Sequence, residues 1–225
     1  MKQYSAVVFD WDGTVMDSTH AIVAAMQAAS ADLGLPVPSA RDASWVIGLS
    51  LESALYRAVP DLTAEQMPLF LERYRVHFLA LDAQLRFFDG MLELLAGLRQ
   101  RQVLLGVATG KSRAGLDRIL AARRMHGHFD ITRCADESFS KPHPGMLLEI
   151  MDELCLLPEQ VLMVGDTSHD MLMARSAGVD GLAVTYGAHD PDALRSAGPV
   201  AMVDSVAQMQ AWLGDRVRAP FAGAA

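Results

Sequence analysis

The stretch Ala6-Val-Val-Phe-Asp-Trp-Asp-Gly-Thr14 decides the fold. Its first four residues are apolar and too few for an independent helix, which is typical of a strand buried on both faces of a parallel sheet. Two carboxylates, Asp10 and Asp12, follow at once, and Gly13 permits a tight turn that directs both of them at one ligand. The stretch therefore predicts a buried strand that ends in a candidate reactive site.

Further short apolar runs predict the other strands of the same sheet. They are Val103–Ala108, Val161–Val164, Leu182–Val184 and, more weakly, Val200–Val203. Helical patterns lie between these runs; for example, Ser112 is a candidate N-cap for a helix that carries Leu116 and Leu120 on one face. Alternating strands and helices predict an α/β protein with a Rossmann-like parallel sheet and right-handed crossovers.

The region from residue 17 to residue 86 differs, because it shows helical periodicity and almost no strand signal. Ser18 is a candidate N-cap for a helix that ends at Gly34, and Thr63 for a longer one. We interpret the region as a helical-bundle cap inserted after the first strand; the alternative is that these helices pad the core. The predicted division is a core domain of residues 1–16 and 87–215, a cap of residues 17–86 and a tail of residues 216–225.

Composition excludes several classes of protein. Apolar residues make up 51% of the 225 and charged residues 20%, which is incompatible with a disordered chain. No stretch approaches the roughly 18 consecutive apolar residues of a membrane span. The net charge is −8 with no basic stripe, which argues against nucleic-acid binding. With two cysteines and no export signal, we expect a cytoplasmic protein, monomeric or homodimeric, with neither a membrane nor a nucleic acid as partner.

Polar residues follow the predicted strands at their carboxyl ends, where open α/β sheets bind ligands. After the second run comes Thr109-Gly110-Lys111-Ser112, and after the third Gly165-Asp166-Thr167-Ser168-His169-Asp170. Ser140-Lys141-Pro142 precedes the third run. Any one of these residues alone could be a helix cap. Together they predict one cluster of carboxylates, a hydroxyl and a lysine at a single edge.

The cluster has a chemical logic. Crowded carboxylates repel one another unless a cation joins them, and hard oxygen ligands favour Mg²⁺. Lys141 and Thr109 can neutralise and hydrogen-bond phosphoryl oxygens. Asp10 can then attack phosphorus, while Asp12 protonates the leaving oxygen and later activates water. A small phosphorylated metabolite is the expected substrate.

These motifs, in this order, resemble those of the haloacid dehalogenase superfamily, in the branch with a helical cap. Asp10-x-Asp12-Gly13-Thr14 is similar to the first motif, Thr109 to the second, Lys141-Pro142 to the third and Gly165-Asp166-Thr167-x-x-Asp170 to the fourth. The resemblance implies Asp10 as nucleophile and Asp12 as general acid/base.

The same resemblance implies a set of ligand contacts. Mg²⁺ would be bound by the Asp10 side chain, the Asp12 backbone carbonyl and Asp166, with Asp170 in support. Phosphate contacts are expected from Gly13, Thr109, Gly110 and Lys141. Hinge strands are expected at 15–18 and about 87–90. Within the superfamily the chain is most similar to phosphoglycolate phosphatases.

The sequence argues against several other activities. Asp12 argues against a dehalogenase, and the absence of lysine from residues 17–86 argues against a Schiff-base phosphonate hydrolase. A phosphosugar mutase of the β-phosphoglucomutase type stays open. Gly106-Val-Ala-Thr-Gly110-Lys111-Ser112 nearly matches a P-loop, but the glycines are one residue too close, so an NTP-binding protein is a remote alternative.

Several nearby residues are expected to have ordinary roles. Lys111 is predicted to be solvated at a helix start, with a substrate contact as its alternative. His143 and His169 are predicted to be polar neighbours of the motifs. Trp11 is expected to pack away from Asp10 and Asp12, and the turn Gly48-Leu49-Ser50 is a candidate for substrate contact from the cap.

Overall fold

A six-stranded, all-parallel sheet forms the centre of the computed structural model, which describes residues 2–220. Its strand order is β5-β4-β1-β6-β7-β8, and β2 pairs with β3 in a separate antiparallel ribbon. The strands are β1 (Ala6–Phe9), β2 (Met16–Asp17), β3 (Arg86–Phe87), β4 (Leu104–Thr109), β5 (Ile131–Cys134), β6 (Val161–Gly165), β7 (Asp180–Val184) and β8 (Ala201–Val203).

Ten α-helices connect these strands within residues 2–220. They are α1 (Thr19–Asp32), α2 (Ala40–Trp45), α3 (Leu51–Ala58), α4 (Met67–Leu81), α5 (Met91–Gln100), α6 (Arg113–Ala122), α7 (Gly145–Glu153), α8 (Ser168–Ser176), α9 (Pro191–Ser196) and α10 (Val206–Leu213). The α/β class and the Rossmann-like parallel sheet predicted from sequence are confirmed.

Side-chain alternation along β1 separates the two sides of the sheet. Val7 and Phe9 join one apolar cluster, with α5, α6 and α10, whereas Ala6 and Val8 join a second, with α7 and α8. All four residues are fully buried. A central strand with both faces covered needs a continuous apolar run, which is why the short run at residues 6–9 was informative.

Four more apolar runs were predicted to be strands. In chain order they coincide with β4, β6, β7 and β8, and each end agrees to within two residues. Strand β5 was not predicted. Its middle residues, Thr132 and Arg133, are polar and only half buried, because β5 lies at the edge of the sheet. Gly106 lies inside β4, so the segment that resembles a P-loop is mostly strand and forms no phosphate-binding loop around that glycine pair.

The helices α1 to α4 occupy the insertion between β2 and β3. Met16 pairs with Phe87 and Asp17 with Arg86, so the chain leaves and re-enters the core through one short ribbon. The long helices α1 and α4 pack along each other. We call α1 to α4 the cap; the predicted domain division at 17 and 86 falls within this ribbon and stays a prediction.

Of the three predicted helix N-caps, the structure confirms the one at Ser112. Ser112 accepts a hydrogen bond from the Gly115 backbone and caps α6 as expected. Ser18 precedes α1, but its hydroxyl makes no cap bond and donates to Asp12 instead. Thr63 caps only a short turn with Gln66, and α4 begins later, at Met67.

The first residues of the predicted tail hydrogen-bond to the start of the core. The Tyr4 backbone amide donates to the carbonyl of Arg216, and the Arg218 amide donates to the carbonyl of Tyr4. Residues 216–218 are therefore joined to the core. Residues 221–225 of the predicted tail lie outside the described residues.

Helix α7 offers a matched test of the second apolar cluster. We expect Ile150→Ala, at a fully buried position, to lower the free energy of unfolding by about 2–5 kcal/mol. Leu148→Ala on the same helix removes a side chain that is 47% exposed and should change it by less than about 0.5 kcal/mol. Urea denaturation of both variants measures the difference, and equal losses would contradict the packing of α7 on the sheet.

Candidate active site

Three carboxylates converge at the carboxyl edge of the sheet. Asp10 follows β1, Asp166 follows β6, and Asp170 lies in the first turn of α8. One oxygen of each lies within 4.8 Å of the others, and all three residues are buried. The convergence arises because β1 and β6 are neighbours in the sheet, so their ends meet.

Lys141 joins two of these carboxylates. Its Nζ lies 2.7 Å from Asp10 Oδ1 and 2.7 Å from Asp170 Oδ1, with the lysine side chain fully buried. Burial alone would lower the pKa of Lys141, but the charges of Asp10 and Asp170 outweigh it and raise that pKa. Burial raises the pKa of Asp10 well above its usual range, against the opposing effect of Lys141.

Asp166 is held by a separate set of bonds. The Thr14 hydroxyl donates to Oδ1 at 2.6 Å, and the Ala188 amide donates to Oδ2 at 2.7 Å. Burial, followed by the charge of Asp170, raises the pKa of Asp166 to about 7. A Cβ at Gly13 would collide with this carboxylate, and Gly13 also has a φ of +84°, so the glycine is needed on both counts.

Asp12 points to a different set of partners from Asp10. Ser18 donates to its Oδ1 at 2.6 Å, and Lys111 Nζ lies 2.9 Å from its Oδ2. The prediction that Lys111 is solvated is therefore wrong, because its side chain is only 13% exposed. It also lies 5.0 Å from the centre of the Phe78 ring, on the cap.

Thr109 and Gly110 follow β4, next to β1 in the sheet. Thr109 is fully buried and its hydroxyl accepts a hydrogen bond from the Lys111 amide at 3.2 Å. A Cβ on Gly110 would clash with the backbone carbonyls of Gly48 and Leu49. Gly110 thus lets the cap turn approach the end of β4, in addition to the phosphate contact predicted for it.

Other bonds tie Trp45, in the segment that leads into this cap turn, to the core. The carbonyl of Trp45 receives hydrogen bonds from His169 Nε2 and His189 Nε2, each at 3.0 Å. The Trp45 ring stacks on His189 with ring centres 4.3 Å apart. Burial lowers the pKa of both histidines, which favours the neutral rings. His169 is therefore more than a polar neighbour, since it helps to anchor the cap.

The same turn has a second anchor at its other end. The Ser50 amide donates to the Ser140 hydroxyl at 2.8 Å, one residue before Lys141. The predicted cap turn Gly48-Leu49-Ser50 therefore lies directly beside the carboxylate cluster. His143, by contrast, is exposed and accepts a hydrogen bond from Gly145 within its own turn.

The carboxylate cluster fits a hard divalent cation. Asp10 Oδ2 is buried and has no hydrogen-bond partner among the described residues. Three buried carboxylates face one another with one lysine between them, and oxygen ligands of this kind suit Mg²⁺. The Asp12 side chain is bound to Ser18 and Lys111 instead, so the metal contact through its backbone carbonyl stays a prediction.

Comparisons with known proteins decide the family. The family model described as haloacid dehalogenase-like hydrolase matches residues 7–184. The chain belongs to that family. It is 36% identical, over 90% of both chains, to the probable phosphatase IndB of Dickeya dadantii. It is 29% identical to the phosphoglycolate phosphatase of Synechococcus elongatus, covering 86% of this chain and 90% of that one.

Solved structures share the architecture. A hydrolase from Pseudomonas syringae superposes with a TM-score of 0.85 at 25% identity, covering 94% of this chain and 98% of that one. The predicted resemblance to the haloacid dehalogenase superfamily and the predicted class of enzyme, a phosphatase of that family, are confirmed. No helix within residues 2–220 has both the length and the apolar character needed to cross a membrane.

Several contacts of this family site were not anticipated from sequence. They are Thr14 and Ala188 beside Asp166, Ser18 and Lys111 beside Asp12, and Trp45 with His189 at the cap turn. Thr14, Ser18 and Lys111 lie in or beside the motif stretches of the sequence. Ala188 and His189 carried no signal, because they reach the site only through the loop after β7. Trp11 packs edge-on against Phe87 and Phe129, away from the carboxylates, as expected.

Gly110 and Gly97 provide a matched pair of glycine substitutions. Gly110→Ala should displace the cap turn and lower kcat/KM for phosphate ester hydrolysis at least about tenfold, because overpacking of this kind costs about 1–3 kcal/mol. Gly97→Ala in α5 meets open space and should raise stability by up to about 1 kcal/mol without changing activity. Steady-state kinetics and thermal unfolding compare them; a fully active Gly110→Ala enzyme would show that the turn does not need this close approach.

Proposed function

We propose that the chain hydrolyses small phosphate monoesters in a Mg²⁺-dependent reaction through an aspartyl-phosphate on Asp10. The observation that carries the proposal is the Asp10 carboxylate, which is buried, lies 2.7 Å from Lys141 and keeps one oxygen free of hydrogen bonds. A buried carboxylate that is unsolvated on one oxygen and oriented by a cation on the other is suited to nucleophilic attack.

Asp10, Asp166 and Asp170 are the side chains that would hold Mg²⁺, with the Asp12 backbone carbonyl as a further ligand. The cation would supply charge neutralisation among the carboxylates and toward a phosphoryl group. Asp166 is already oriented by Thr14 and Ala188, so this ligand is fixed before a cation binds.

In the first step, an Asp10 oxygen forms a bond to phosphorus as the bond between phosphorus and the ester oxygen breaks. Lys141 and Thr109 stabilise the phosphoryl oxygens, and Asp12 gives its proton to the leaving oxygen. Ser18 and Lys111 fix the Asp12 carboxyl in place for this transfer.

In the second step, Asp12 takes a proton from a water molecule as the water oxygen attacks phosphorus. The bond between Asp10 and phosphorus breaks, which releases inorganic phosphate and restores the carboxylate. The cap turn Gly48-Leu49-Ser50 covers the site and limits the water that reaches the intermediate.

A small phosphorylated metabolite is the proposed substrate, and 2-phosphoglycolate is a first candidate because a relative bears the name phosphoglycolate phosphatase. A phosphosugar mutase would use the same first step. It would then transfer the phosphoryl group from Asp10 to a sugar hydroxyl instead of to water. We keep the proposal that the enzyme is cytoplasmic and acts as a monomer or homodimer.

Asp10→Asn tests the nucleophile. We expect phosphate release from a panel of small esters to need Mg²⁺, to stop with EDTA and to fall at least about 10³-fold in this variant, because the amide cannot form the phosphoenzyme. The variant should remain folded, since the side chains are nearly isosteric. Asp152→Asn, at an exposed position of α7, is the control and should keep full activity.

A fully active Asp10→Asn enzyme would overturn the mechanism. If no ester in the panel releases phosphate, interconversion of sugar phosphates in the same samples would indicate the mutase instead.

Asp12→Asn tests the acid/base residue and separates its two roles. Loss of the acid should lower kcat about 10²–10⁴-fold for alkyl phosphates, whose leaving oxygens need a proton. p-Nitrophenyl phosphate has a good leaving group, so its first step should be less affected. Slow dephosphorylation should then appear as a burst of nitrophenol in stopped-flow measurements. Equal losses on both substrates, without a burst, would contradict the acid role.

A further inference from the structure

A cavity of about 720 Å³ lies between the cap and the carboxyl edge of the sheet. Asp12 and Lys111 line it on the core side, so it opens onto the position where the leaving oxygen of a substrate would lie. A two-carbon acid such as glycolate would fill only a small part of this space, because cavities of ~300–1,000 Å³ hold ligands of drug size.

The cap side of the cavity is lined mainly by apolar side chains. Helix α1 contributes Ile22 and Met26, and α4 contributes Leu71, Tyr74 and Phe78. The three α4 residues are spaced at i, i+3 and i+7, so they lie on one face of the helix. The rings of Tyr74 and Phe78 are nearly parallel, with centres 6.0 Å apart, and both residues are largely buried.

Charged side chains are few along the cavity and balance one another. The charged residues that line it are Asp12, Glu52, Arg75, Lys111, Arg118 and Asp136. Lys111 is paired with Asp12, and Arg118 is paired with Asp82 at 2.6 Å. Arg75, Glu52 and Asp136 are exposed residues. Among the described residues that line the cavity, each cation that is not exposed is therefore paired with a carboxylate. An anionic leaving group would find no free buried cation there.

From these contacts we infer that the enzyme acts on phosphate monoesters whose alcohol is mostly apolar and carries a ring, with the ring bound in the cavity against the apolar side chains of α1 and α4. The inference rests on the proposed function, because it places the phosphoryl group at Asp10 and the alcohol in the cavity. Packing of the ring against Leu71 and Phe78 removes it from water. This favours ring-bearing esters, since the free energy gained is roughly proportional to the apolar area buried.

Alkyl phosphates of similar leaving-group acidity test the inference. The panel contains benzyl phosphate, 1-naphthylmethyl phosphate, glycerol 3-phosphate and 2-phosphoglycolate. Because the alcohols differ little in acidity, differences in kcat/KM report mainly on the cavity. We expect values at least about tenfold higher for the two ring-bearing esters. Equal or lower values for these esters would overturn the inference.

Leu71→Gln places a polar group in the cavity wall at a half-buried position. It should lower kcat/KM for the ring-bearing esters at least about fivefold and leave the small polar esters unchanged. Leu71→Met keeps the wall apolar and should retain the preference. Leu69→Gln is the matched control on α4, at a residue that is 51% exposed and outside the cavity lining. A uniform loss on all esters in Leu71→Gln would show a structural effect and contradict the assigned role.

Binding to Asp10→Asn separates failure of the inference from failure of the proposed reaction. Isothermal titration should give tighter binding of benzyl phosphate than of 2-phosphoglycolate, whether or not the wild-type enzyme turns either over. Absence of Mg²⁺-dependent hydrolysis across the panel would reject the proposed reaction alone. Tighter binding of 2-phosphoglycolate would reject the apolar substrate class alone.

Discussion

The site depends on one ammonium group placed between two buried carboxylates. Lys141 Nζ lies 2.7 Å from both Asp10 and Asp170, with all three side chains almost inaccessible to water. Buried like charges are costly unless a partner compensates them, so this contact is what allows Asp10 to be both desolvated and held in position. The lysine comes from the loop after β5, whereas the carboxylates follow β1 and open α8, so the contact also binds three separate parts of the chain together.

The sheet order explains why these groups can meet at all. β1 lies between β4 and β6, so Asp10 has Thr109 on one side and Asp166 on the other. Each of these residues comes at a carboxyl end, where the chain leaves the sheet and side chains are free to turn toward a ligand. The small residues around them serve the same arrangement: a side chain at Gly13 would displace Asp166, and one at Gly110 would displace the cap turn.

Much of this arrangement could be predicted from the sequence, because apolar strand runs and motif residues are local features of the chain. Asp10, Lys141, Asp166 and Asp170 could be placed together once the apolar runs were taken as parallel strands. What sequence reasoning missed depends on tertiary contacts. β5 is an edge strand with polar residues, and its pattern did not stand out. Lys111 was expected in solvent because nothing local shows that Asp12 and the cap residue Phe78 enclose it.

Lys111 links the chemistry of the site to the position of the cap. Its ammonium group touches Asp12, the proposed acid/base residue, and lies over Phe78, which lines the cavity that we propose for the leaving group. Ser18, the other partner of Asp12, is the residue between the strand β2 and the first cap helix. Both supports of the Asp12 carboxyl therefore adjoin the cap. A cap displaced from the core would remove the apolar wall and disturb the Asp12 carboxyl together, so in the proposed mechanism substrate fit and proton transfer depend on the same set of contacts.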